Sequence, residues 1–222
     1  MTKQYQLLIF DWDGTLMDSA ADIVANISAA IKQTTLPARS DEQLRNTIGL
    51  GIMEGLEQLY PGESQTALLE LQNAFKQNHF KVSASSSPLF PGTKNMLKKL
   101  NEAGYWLAVA TGKSKRGLKK ALADHDITHL FHTTRTAEET CSKPHPQMLH
   151  EIIEELDITA AQALMIGDTT YDLEMAQNAN MDAVSLGCGA HTLAQLDTFS
   201  RIAHFDYVTD VIEWLARHST KP

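Results

Sequence analysis

The feature that most narrows the possible folds is an alternation of two rhythms along the second half of the chain. Short apolar runs at Trp106–Ala110, Ala163–Ile166 and 182–186 are separated by helix-length stretches with a 3.6-residue period. Such alternation builds βαβ units, a parallel sheet with helices on both faces. One more run, Leu7-Leu8-Ile9-Phe10, stands apart near the N-terminus. It must enter the same sheet, because an isolated apolar strand has no partner for its backbone groups.

The residues between keep a single, helical rhythm. Ile23, Ile27 and Ile31, with Val24 beside them, form the stripe of a first helix, which Ser19 would cap and Leu36-Pro37 would end. Ser40-Asp41-Glu42-Gln43 opens a second helix with capping signals. Met53, Leu56 and Leu59 mark a third, stopped by Pro61-Gly62, and a fourth runs from Ser64 to about Lys81. The small polar run Ser83–Pro88 reads as a linker or hinge. The helical block is thus an insertion with two connections to the sheet. The expected fold is α/β: a Rossmann-like three-layer core with a parallel sheet, from residues 1–16 and 88–222, plus an inserted α-helical cap domain over 17–87. Core helices are expected at 93–103, 114–124, 146–156, 170–178 and 210–218, and weak strands at Leu130–His132 and near Tyr207-Val208.

Ligands of open α/β sheets bind at the carboxyl ends of the strands. The first run leads into Asp11-Trp12-Asp13-Gly14-Thr15. Residues i and i+2 of a strand share a face, so the two carboxylates would converge and repel unless a cation sits between them. Hard oxygen ligands of this kind suit Mg²⁺. The second run ends in Thr111-Gly112-Lys113, and the third in Gly167-Asp168-Thr169, with Asp172 just beyond. Lys143 precedes Pro144 in a loop. Parallel strands gather these patches on one edge: carboxylates, a hydroxyl, glycine N–H groups and a cation.

A net charge of −8 argues against a nucleic-acid or acidic-membrane partner. Cys141 and Cys188 lie far apart without metal or redox spacing, so free thiols are expected. The N-terminus lacks a signal-peptide pattern and no apolar run reaches membrane-spanning length; the expectation is a cytoplasmic protein. Between Lys94 and Lys120, eight basic residues face a single acid, Glu102. Lys113, Lys115 and Arg116 would add positive potential near an anion site, or lie on a solvated helix face.

Four of these patches, in order, resemble the motifs of the haloacid dehalogenase-like superfamily, in the phosphatase branch with a small helical (C1) cap. Asp11-Trp12-Asp13-Gly14-Thr15-Leu16 resembles the first motif, Ala110-Thr111-Gly112 the second, Lys143-Pro144 the third, and Gly167-Asp168-Thr169 through Asp172 the fourth. The resemblance implies that Asp11 is the nucleophile and forms an aspartyl-phosphate. It implies that Asp13 protonates the leaving oxygen and then deprotonates water. Mg²⁺ would be held by Asp11, by the backbone carbonyl of Asp13 and by Asp168, with Asp172 acting through water or directly. Thr111, Gly112 and Lys143 would hold phosphoryl oxygens. Asp13 also separates branches: dehalogenases lack an acid there and P-type ATPases carry threonine.

The cap pattern most resembles phosphoglycolate phosphatase-like proteins, which implies a small phosphorylated metabolite as substrate and a monomer or homodimer. Lys113, Thr15 and, in the cap loop, Gly49 and Gly51 join Gly112 as expected substrate-binding residues, and Arg45 as a partner for a substrate carboxylate. Alternatives on the same scaffold are an inorganic pyrophosphatase, a sugar-phosphate or nucleotide phosphatase, or a phosphomutase. The mutase is disfavoured because Leu50 and Ile52 flank Gly51, where a basic residue would grip a second phosphate. A non-catalytic module sensing a phosphate ligand or binding a protein is the alternative outside enzymes. Gln147 departs from the family pattern, which implies a lost hydrogen bond near Lys143.

Overall fold

The computed structural model describes residues 5–82 and 87–218. Six strands form one sheet: β1 (Leu7–Phe10), β2 (Trp106–Thr111), β3 (Thr133–Thr136), β4 (Ala163–Gly167), β5 (Asp182–Leu186) and β6 (Ala203–Phe205). Their order is β3-β2-β1-β4-β5-β6 and every pair is parallel. The chain moves outward from β1 to β3, then restarts at β4 on the other side. The order reverses between β1 and β4, so the crevice of the sheet opens at their carboxyl ends. Phe10 pairs with both Val109 and Ile166. That register brings Asp11, Thr111 and Asp168 to one rim.

Central strands are covered on both faces and read as unbroken apolar runs, as all four buried residues of β1 do. Alternate residues serve opposite layers. Leu8, Phe10, Val109 and Ile166 pack against α5 (Thr93–Glu102), α6 (Lys115–Asp124) and α10 (Val211–His218). Leu7, Ile9, Ala108 and Met165 pack against α7 (Gln147–Glu155) and α8 (Thr170–Asn178). The three-layer α/β core is therefore as expected.

Two strands and one helix differ from expectation. Residues 128–130 form a 3₁₀ turn, and the strand begins only at Thr133. Its sequence, Thr-Thr-Arg-Thr, is polar because β3 is an edge strand, with Arg135 paired to Glu151 and Glu155. The last strand is Ala203–Phe205, while Val208 opens a second 3₁₀ turn and buries its side chain. The short helix α9 (Leu193–Leu196), held by a Thr192–Gln195 capping box, has too few turns to show a period.

The insertion is helical as read: α1 (Ala20–Ile31), α2 (Asp41–Arg45), α3 (Ile52–Leu59) and α4 (Gln65–Val82). These helices share their own apolar cluster, including Val24, Ile27, Leu44, Leu56, Leu68 and Leu71. Ser40 and Gln43 make the expected capping box. Ser19 does not cap α1. Its φ of −122° and ψ of −4° aim the hydroxyl away from the first turn, and it donates to Asp13 Oδ1 at 2.7 Å instead. Most of the expected linker, residues 83–86, lies outside the described residues. On either side of it the outgoing and returning connections run together. Asp18 N donates to Pro88 O at 2.9 Å, Phe90 N donates to Leu16 O at 3.0 Å, and Met17 bridges Leu89 in antiparallel sense.

Candidate active site

Each carboxylate at the rim is placed by local structure. Asp11 follows β1, and its N–H still donates to Ile166 O at 2.9 Å, so it leaves the sheet in register with β4. Asp168 follows β4 and accepts from Thr15 Oγ1 at 2.6 Å and from Ala190 N at 2.7 Å. Asp172 is the third residue of α8 and closes a capping box with Thr169. Its Oδ2 accepts from Thr169 N at 3.0 Å and from Thr169 Oγ1 at 2.7 Å. Capping thus fixes one oxygen and leaves Oδ1 for Lys143 Nζ, 2.6 Å away. Glycines make room: a Cβ at Gly189 would lie 1.9 Å from Asp168 Oδ2, and one at Gly167 would lie 2.2 Å from Asp172 Cγ.

Asp11, Asp168 and Asp172 are fully buried, and one carboxylate oxygen from each lies within 4.8 Å of the others. Lys143, also buried, sits 2.8 Å from Asp11 Oδ1 and is shared with Asp172. Lys143 Nζ and the Trp12 backbone N–H face the Asp11 carboxylate and favour its charge, but neither makes a well-aligned hydrogen bond to it. Burial pushes the Asp11 carboxyl up to about 7; Lys143 pulls it down and Asp172 pushes it further up. Asp168 is raised well above the carboxylate range by burial, then by Asp11 and Asp172. Burial lowers the Lys143 ammonium, but Asp11 and Asp172 more than offset this and raise it. Three carboxylates against one ammonium leave the site short of positive charge. The donor set, hard oxygens with an orphaned pair on Asp11, fits a divalent cation such as Mg²⁺.

A cavity of about 560 Å³ opens over this rim, between the sheet and helices α1, α3 and α4. Asp11, Asp13, Thr111, Gly112 and Lys113 form its floor, and Gly49 and Gly51 belong to its wall. The loop before α3 is seated on the core. Gly51 N donates to Ser142 Oγ at 2.8 Å, and Tyr171 Oη donates to Asn46 O at 2.6 Å. A Cβ at Gly112 would come within 2.2 Å of Leu50 O, so only glycine permits this approach.

A model of the haloacid dehalogenase-like hydrolase family matches residues 8–186. The chain belongs to that family. Among relatives of this haloacid dehalogenase-like hydrolase, a phosphoglycolate phosphatase from Psychrobacter arcticus is 30% identical over 221 residues, 96% of each chain. A phosphoglycolate phosphatase from Vibrio cholerae is 30% identical over 195 residues, covering 84% of this chain and 86% of its own. The crystal structure of a hydrolase from Pseudomonas syringae superposes with a TM-score of 0.88 over 98% of this chain and 100% of that one, at 19% identity, a likeness of fold. Among the described residues, no helix is long and apolar enough to cross a membrane.

Not every expected site residue of this haloacid dehalogenase-like hydrolase sits where the motifs imply. The Asp13 carboxylate stands outside the acidic trio, bound by Lys113 Nζ at 2.9 and 3.1 Å and by Ser19, which leaves the Asp13 backbone carbonyl as the atom the resemblance assigns to the metal. Thr15 does not reach the cavity wall, because its hydroxyl is committed to Asp168. Arg45, the last residue of α2, does not line the cavity either. Gln147 bonds Glu151 and the Cys141 N–H, not Lys143. Of the basic stretch, Lys115 and Lys120 pair with Glu139 and Asp124, while Lys113 turns to the site. Both cysteines are free. Sequence reasoning misses Ser142 and the Gly189-Ala190 turn, while Ser19 and Thr169 stand out in it for other reasons than their contacts with Asp13 and Asp172. Only Thr169, with an acid three residues on, carried a readable signal, the capping box.

Proposed function

We propose that this chain is a Mg²⁺-dependent phosphatase that hydrolyses a phosphate monoester through an aspartyl-phosphate on Asp11. The observation that carries the reading is the Asp11 carboxylate: buried, without a well-aligned hydrogen-bond donor, beside Lys143, at the floor of a cavity. The phosphoglycolate phosphatases of Psychrobacter arcticus and Vibrio cholerae support the phosphate ester as substrate.

Asp11 and Asp168 would hold the cation, with the Asp13 carbonyl as a further ligand and Asp172, tied to Lys143, acting through water or directly. When bound, Mg²⁺ supplies positive charge that offsets repulsion between carboxylate and phosphate. An Asp11 oxygen attacks phosphorus, the P–O ester bond breaks, and Asp13 gives its proton to the departing oxygen. Water then attacks phosphorus, Asp13 takes the proton of that water, and the Asp11 oxygen leaves as carboxylate. Thr111 accepts from Lys113 N at 3.2 Å, which leaves its hydroxyl proton for a phosphoryl oxygen. Gly112 N–H and Lys143 take the remaining charge. An ion-paired Asp13 cannot act as an acid, so Lys113 must part from it; an arriving phosphate dianion competes for that ammonium and releases Asp13 to take a proton. Residues 17–87 act as the cap that excludes water, and residues 1–16 and 88–222 as the core.

The test is p-nitrophenyl phosphate turnover. It is expected with Mg²⁺, and is expected to vanish in chelator and in Asp11→Asn. Turnover that survives Asp11→Asn overturns the nucleophile; turnover in chelator overturns the metal.

A further inference from the structure

The cavity above the rim is the wrong chemistry for a two-carbon acid. Its volume, about 560 Å³, lies in the range that encloses a drug-sized ligand. Its walls away from Asp11 are mostly aliphatic and aromatic, from Ile23 and Ile27 of α1, Ile48 of the loop, Met53 and Leu56 of α3 and Phe75 of α4, with Gln72, Lys76 and Arg116 also on the lining. A glycolate carboxylate would need a cation among them. Lys113 is engaged by Asp13, and the other cations on the lining, Lys76 and Arg116, are exposed to water and share the lining with the exposed acids Glu54 and Glu138, so the positive charge offered to a second anion is largely offset. Arg45, the residue best suited by sequence to meet a carboxylate, is off the wall. An anion lodged against Ile27, Met53 and Leu56 would lose its water and gain no partner.

We infer that the leaving group this site accepts is larger than glycolate and apolar, filling the space between α1, α3 and α4. The inference rests on the phosphatase reading above and narrows its substrate class to phosphate monoesters of hydrophobic alcohols or phenols. The phosphoryl group occupies the Asp11 rim, and the hydrophobic body of the alcohol runs toward Phe75. Burial of that body is what distinguishes one ester from another, because Asp11, Asp13 and Lys143 see the same phosphate in all of them.

The experiment is a series of n-alkyl phosphates from methyl to hexyl, with phosphoglycolate and p-nitrophenyl phosphate alongside, assayed by phosphate release with saturating Mg²⁺. Each added methylene is expected to raise kcat/KM about fourfold, the equivalent of about 0.8 kcal/mol. Hexyl phosphate is expected to exceed phosphoglycolate. Phe75→Ala is expected to lower the hexyl-to-methyl ratio of kcat/KM at least fivefold. Should that variant fail to fold, Ile23→Thr, which shortens the side chain and places a hydroxyl in the wall, is expected to lower the same ratio. A flat or falling series, or phosphoglycolate as the better substrate, overturns this inference and leaves the phosphatase intact. Turnover of no ester at all, p-nitrophenyl phosphate included, overturns the phosphatase reading and this inference with it.

Discussion

Replacing Asp11 by asparagine should stabilise the metal-free protein while destroying its activity. Asp11 is fully buried and has no well-aligned hydrogen bond, and burial pushes its carboxyl up to about 7 from 3.8 in an unfolded chain. A carboxyl whose folded pKa is raised adds no penalty below about pH 4. The penalty builds between pH 4 and 7 and is complete above 7. Three pH units correspond to about 4 kcal/mol. Asparagine removes that charge at almost constant shape, but Lys143 then keeps only Asp172, 2.6 Å away. Allowing half the gain for this loss leaves about 2 kcal/mol, or roughly 4–8 °C in melting temperature for a chain of this size. The assay is a thermal melt in chelator at pH 8 and pH 5, then with Mg²⁺. The variant should melt higher at pH 8, the difference should shrink toward pH 5, and Mg²⁺ should reverse it, because a ligand at 100 times its Kd stabilises the wild type by about 2.7 kcal/mol. Equal melts at pH 8, or a gain independent of pH, would refute the electrostatic account of this site.

Lys143→Met should cost about 3–5 kcal/mol, since it leaves Asp11 and Asp172 buried without their cation, and phosphatase turnover should drop at least about 100-fold; melts and p-nitrophenyl phosphate assays check both. Thr15→Val should raise the Mg²⁺ concentration for half-maximal activity about 10–100-fold by releasing Asp168 Oδ1, with a smaller change in kcat at saturating metal. Gly112→Ala should leave circular dichroism unchanged yet reduce kcat/KM about 100-fold, because its Cβ would collide with the Leu50 and Gly49 carbonyls and hold the cap away from the rim.

What could be read from the sequence follows from where each signal originates. β1 and β4 are buried on both faces, so apolar runs betray them; β3 and β6 lie at the sheet edges and carry no such run. Asp11, Asp168, Thr111 and Lys143 announce themselves because a charged or hydroxyl side chain interrupts the pattern at a strand end or turn. Their supports do not. Ala190 contributes a backbone N–H, which any residue offers, and Ser19 reaches Asp13 only because the turn before α1 departs from cap geometry. The i, i+2 rule of strands predicts that the Asp11 and Asp13 carboxylates converge, yet the chain has already left the strand at Phe10 and the Asp13 carboxylate turns to Lys113 and Ser19. The apolar cavity was invisible because Ile27, Met53 and Phe75 each look like ordinary core positions of their own helices until those helices meet over the rim.

The antiparallel bridge between Met17 and Leu89 has a mechanical meaning. Two lengths of chain zipped side by side join the four helices to the sheet more stiffly than a single tether would, as a double hinge holds a door. The bond from Gly51 to Ser142 is then the catch on the far side of the frame. It sits one residue from the buried ammonium of Lys143, so the latch of the helical layer and the charge at the rim share one short loop.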